Sequence, residues 1–247
     1  MTTSPPSDPA HPMPLWSDQG QLLVDLAVAD LEAGRDVLPS MVAFRGDQPL
    51  FLATLRPFLK GQHQDPIIEV GALAMGLQAD RILLSLSGRA WSLADPIVPV
   101  LPDGGGDLRQ RVIVVHQADA STQDPVASST IVPVEVVQPD VDDGEVSVRT
   151  GPALTAPDGE GWVPQALMVL ARADGCQAEE EDLGLQVRRC EHLGHRLAWS
   201  PTVIPLIQRV RLLGLPPEVA GEGSPADGRQ QATGDPARSD VDHDRVA

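Results

Sequence analysis

Apolar and polar positions alternate along this chain in two periods, and the switches between them mark the elements. Leu22, Leu23, Leu26, Ala27 and Leu31 recur at helical spacing. They predict a first helix with those five side chains on a broad inner face, capped by Asp18 with Gln21 three residues on, and stopped at Gly34. Two short apolar runs follow, residues 38–44 and 50–55, joined by Arg45-Gly46-Asp47-Gln48-Pro49. Short runs on either side of a glycine-containing loop predict a hairpin. The Arg-Gly-Asp tripeptide spells an adhesion signal, but the hairpin turn is explanation enough for it.

Residues 65–78 predict a second helix, with Asp65 as N-cap and Pro66 at the first helical position. Its body, IIEVGALAMGL, is apolar almost all round and so belongs deep in the domain. Strands are expected at 81–87 and 111–116, and a second hairpin at 131–137 and 145–149, with Val132, Val134 and Val136 on one face. The last third reads as three helices, 163–173, 179–193 and 200–213. The acidic start and basic end of the middle one suit the helix dipole. The predicted fold is α+β: a mostly antiparallel sheet of about six strands with helices packed on it, and a C-terminal helical segment. The helix, hairpin, helix, strands order resembles that of small profilin-like or light-chain-like modules, an analogy of element order that implies no function.

Residues 1–15 and 216–247 are rich in Pro, Gly, Ser and Asp without periodicity, and read as disordered tails around one domain at 16–215. The core must be aliphatic, since the chain has three Phe, four Trp and no Tyr. Trp16, Trp91, Trp162 and Trp199 each sit near the edge of an expected element, where an amphipathic ring closes the end of a core.

Net charge is -17, and Lys60 is the only lysine among 18 basic residues. A chain this acidic lacks the phosphate attraction that drives nucleic-acid binding, which disfavours nucleic acid and anionic membranes as partners. The first residues have no basic, apolar pattern of a secretory signal, and no apolar run is long enough to span a membrane. The expected location is the cytoplasm, with Cys176 and Cys190 reduced.

Candidate chemistry is sparse. Glu69, a carboxylate on an apolar helix, is a candidate catalytic residue, because burial would raise its pKa into the range of a general acid or base. The structural alternative is that it reaches solvent or pairs with an arginine such as Arg81 or Arg89. His116 ends the apolar strand VIVVH with Asp119 nearby, the composition of a base and its orienter. Cys176, Cys190, His192 and His195 are zinc-type ligands, but their spacing does not match a structural site, and Cys190 falls on the inner helix face with Leu183 and Val187. The glycine of Asp140-Val141-Asp142-Asp143-Gly144 comes too early for a calcium loop. Gly104-Gly105-Gly106 lacks the Gly-Lys-Ser/Thr of a phosphate loop, and no Gly-x-Ser-x-Gly or His-Glu-x-x-His occurs. No cofactor is indicated.

Two functions survive. One is a binding or accessory protein acting through protein–protein contacts or self-association, with the apolar helix around Val203–Leu213 as the contact surface. The other is a hydrolase-type enzyme using Glu69 or His116, with or without a metal.

Overall fold

The computed structural model describes residues 18–59, 61–90, 109–137, 146–157, 161–172 and 178–213. By internal packing the chain divides into a unit Met1–Gly214 and a unit Leu215–Ala247, the latter entirely outside the described residues. Also outside them are residues 1–15, Trp16, Trp91, the Gly104–Gly106 run, Asp140–Gly144 and Cys176.

The element order is α1 (Asp18–Glu32), β1 (Ser40–Arg45), β2 (Gln48–Thr54), α2 (Gln64–Gly76), β3 (Arg81–Ala90), β4 (Gln110–Asp119), β5 (Val126–Val137), β6 (Ser147–Thr150), β7 (Leu154–Pro157), α3 (Trp162–Ala171), α4 (Glu180–His192), β8 (Arg196–Trp199) and α5 (Ile204–Leu212). The α+β expectation holds, with eight strands in place of about six. Their order is β6-β5-β4-β3-β1-β2-β8, with β7 paired to β5, and every pairing among the described strands is antiparallel. No helix among the described residues is long and apolar enough to cross a membrane.

The two strands missed by pattern are four residues each. At that length a period of two cannot be told from chance. β7 exists because β5 is twelve residues long and carries two partners end to end. Val134–Val137 pair with β6 and Ser128–Ile131 with β7. Pro133 sits between them, where no ladder N–H is needed. β8 forms because Gly194, at φ 95°, reverses the chain after α4 and returns it beside β2.

At the first hairpin the loop is tighter than expected, with only Gly46 and Asp47 between β1 and β2. Gly46 takes a positive φ of 56°, and both carboxylate oxygens of Asp80 accept its N–H. A bulge follows: Ala43 pairs with Phe51 and Phe44 with Pro49, leaving Leu50 as the extra residue. The Leu50 carbonyl is then free to accept from the Ser200 N–H, which anchors the end of β8. α2 begins two residues earlier than expected, at Gln64. His63, not Asp65, stands at its N-cap, and no side chain caps it.

The sheet separates two cores of unequal cover. On one face, Met41, Ala43, Phe51, Ala53, Ile82, Leu84 and Ala118 pack under α2, α3, α4 and α5. The helices of this layer approach closely. A Cβ at Gly71 of α2 would stand 2.2 Å from Leu170 Cδ1, and one at Gly184 of α4 would stand 2.4 Å from the Val210 carbonyl oxygen of α5. The opposite face, with Phe44, Leu83, Ile113, Val115, Val132 and Val134, is covered by α1 alone through Leu23, Val24, Ala27 and Leu31.

Candidate functional site

One helix cannot cover a sheet of seven strands in width. α1 lies over β3, β4, β5 and β6. The same face of β1, β2 and β8 is left beside it. In register, Leu83, Val42, Leu52 and Ala198 form one row across β3, β1, β2 and β8. Leu83 is buried under α1, Val42 and Leu52 are half-buried, and Ala198 at the edge is exposed. The helix side of this trough corrects the sequence expectation. Leu22 and Leu26 are 56% and 44% exposed instead of facing inward, and Gly20 and Val24 take their places.

The result is a groove of about 410 Å³. Its helix wall is Gln19, Leu22, Leu23 and Leu26, its floor Val42, Phe44, Leu52 and Ala198, and its end Ser200 and Pro201. Phe51 and Trp199, which also border it, pack their rings together in the helix-covered core. β8 is the last strand of the sheet, so its outer edge has no strand partner among the described residues. An open apolar trough ending at an unpaired strand edge is a shape that accepts a chain segment.

Glu69 lies on the other side of the sheet, in the helical layer, and its partner is neither Arg81 nor Arg89. Arg56, just beyond β2, grips it in a two-point pair: Nε donates to Oε2 at 2.9 Å and Nη2 to Oε1 at 3.0 Å. His195 Nδ1 accepts the Arg56 backbone N–H at 3.1 Å, so its Nε2 carries the proton and donates to Glu69 Oε2 at 2.8 Å. The pKa of Glu69 is therefore lowered, not raised as expected. Hydrogen bonding from Arg56 outweighs desolvation, and His195 adds to it. The Glu69 carbonyl also accepts from Gln186 Nε2 at 2.7 Å and from the Cys190 thiol at 3.5 Å. This network ties together β2, α2, α4 and the lead into β8. Arg81 instead stacks on Phe44 at 4.6 Å, and Arg89 donates to the Arg109 carbonyl at 3.0 Å.

His116 is on the same helix-covered face, and its partner is Ser129 of β5, directly opposite in register, with Nδ1 2.8 Å from Oγ. Burial, reinforced by nearby His63, pushes its pKa down to about 4, so the ring is neutral at pH 7. Asp119 is not its orienter. Residues three apart on a strand point to opposite faces, and Asp119 accepts from Ser121 N at 2.9 Å and Oγ at 2.6 Å in the next turn. His63 packs edge-on against Trp162 at 5.8 Å.

The described zinc-type residues do not form a ligand set, and Cys176 lies outside the described residues. Cys190 is fully buried and burial raises its thiol to about 11, His195 belongs to the Glu69 network, and His192 is exposed. Among the described residues no group of three or more His, Cys, Asp or Glu is placed to hold a metal. The C-terminal helix packs on the core within the molecule. Ile207 and Val210 of α5 are buried in the core, leaving Ile204, Leu212 and Leu213 toward solvent. No protein-family model, no curated protein and no solved structure matches the chain.

Proposed function

We propose that this protein is a binding module that seats a segment of a partner protein in the groove between α1 and the β1–β2–β8 end of the sheet. The observation that carries this reading is the pair of outward leucines, Leu22 and Leu26, standing beside half-buried Val42 and Leu52 and exposed Ala198 in one row. Two large apolar side chains on successive turns of one helix, continuous with an apolar trough, form a patch rather than scattered exposure. The polar clusters serve the groove indirectly in this reading. The Glu69 network fixes the approach to β8, whose Ala198 forms the outer part of the groove floor. A cytoplasmic setting, in which Cys190 stays reduced, completes it.

The test is methyl NMR of the full chain titrated with an amphipathic leucine-containing peptide. Leu22, Leu26, Val42 and Leu52 resonances should shift saturably while those of Ile67 and Leu84 stay fixed. No saturable shift at these four, or uniform shifts in both groups, rules the reading out.

A second reading rests on His116. A serine hydroxyl 2.8 Å from a neutral imidazole is the beginning of a general-base pair. A fluorophosphonate probe that labels Ser129 in the native chain but not in His116→Ala would support an enzyme. Absence of labelling removes this reading.

A further inference from the structure

Resting on the groove reading, and deepening it, we infer that the occupant is a basic amphipathic segment of a different protein, not a second copy of this chain. The argument is charge. The helix wall carries Asp18, Asp25, Asp30 and Glu32 and no basic residue. On the helical wheel Asp18 and Asp25 flank Leu22 on its solvent side, and both are exposed. At the hairpin end of the floor, Asp47 lines the groove with its side chain fully open to solvent. The basic groups nearby do not cancel this rim. Arg81 is 15% exposed and lies over the Phe44 ring, 4.0 Å from Asp47. Arg196 is exposed but sits at the opposite end of β8, beyond Leu197. Arg35 is paired to Asp30.

An apolar trough with Asp47 at its hairpin end and exposed Asp18 and Asp25 on the adjoining side of α1 selects a segment that buries leucine-like side chains and presents lysine or arginine to those acids. It selects against a second copy. Seating one α1 in another's groove would bring two helices together that carry acids only, in a chain of net charge -17. It likewise disfavours the chain's own residues 1–17, which contain no lysine or arginine.

The experiment uses the full chain and two labelled peptides with the same leucine spacing, one with lysines and one with glutamates at the polar positions, read by fluorescence anisotropy. The expected result is at least about tenfold tighter binding of the lysine peptide, weakening as NaCl rises from about 50 to about 300 mM. Asp18→Asn/Asp25→Asn/Asp47→Asn should lower lysine-peptide affinity about tenfold and, by relieving repulsion, leave the glutamate peptide bound no more weakly than before. Leu26→Asp separates groove binding from general attraction. It makes the chain more acidic, so loose electrostatic binding would tighten, whereas seating in the groove weakens. If both peptides bind equally and Leu26→Asp weakens both, the groove reading stands and the charge inference falls. If Leu26→Asp weakens neither, the groove reading itself falls. Two further results would overturn the inference. One is a dimer by sedimentation that Leu26→Asp dissociates, which makes a second copy the occupant. The other is peptide affinity rising more than about tenfold in Leu15→Ser/Trp16→Ser, which assigns the groove to the chain's own N-terminal segment.

Discussion

The two faces of the sheet are built from similar aliphatic residues but finished differently. On one, four helices cover the sheet and bury Met41, Phe51, Ile82 and Leu84, and glycines at 71 and 184 let the helices approach closely. On the other, α1 buries the β3–β6 portion and leaves β1, β2 and β8 with half-exposed Val42 and Leu52 and exposed Ala198. The contrast separates two uses of apolar surface. Surface inside a layer stabilises the fold, and surface beside a lone helix is available to bind.

Substitutions on the two faces should therefore diverge. The largest effect is expected from Leu73→Ala in α2, fully buried in the covered core, which should lower unfolding free energy by about 3 kcal/mol in denaturant titrations. Next comes acid. His116 is held neutral with a pKa near 4 against 6.5 when unfolded, so the unfolded chain binds the proton first. Stability is complete above pH 6.5 and declines as pH falls toward 4, by on the order of 2–3 kcal/mol. His116→Leu should flatten that interval in urea midpoints measured from pH 7 to pH 4. Glu69 acts lower on the scale. Its pKa is depressed below the ordinary 4.5, so its contribution is present above that value and lost as pH falls through the depressed one. Glu69→Gln should cost about 1–2 kcal/mol at pH 7 and remove the steepening below about pH 4.5. Smallest of all, Leu22→Ser and Leu26→Ser should change thermal stability by less than about 0.5 kcal/mol, because their side chains are already largely in solvent.

Long periodic segments were legible in the sequence. The helices at α1, α2, α3 and α4, the first hairpin, and the Val132, Val134, Val136 face of β5 all appear close to where the pattern places them. β7 and β8 were not legible, because four residues carry no usable period and their places depend on distant partners. The groove was hidden for a related reason. Periodicity says that Leu22 and Leu26 share a side of α1, but only the width of the sheet decides whether that side has anything to cover. Glu69 was correctly singled out as anomalous on an apolar helix. Its partners, Arg56 and His195, lie 13 and 126 positions away, and no local signal joins them. His116 was singled out as the end of an apolar run, but β4 continues past it to Asp119, and Ser129 is set opposite it by register alone.

The most direct test of the contrast reads stability and binding on one variant, Leu26→Asp. The account predicts an unfolding free energy within about 1 kcal/mol of the unmodified chain, together with at least a tenfold loss of lysine-peptide affinity. A loss of several kcal/mol with peptide affinity unchanged would show that the α1 face is simply more core, and would contradict the account.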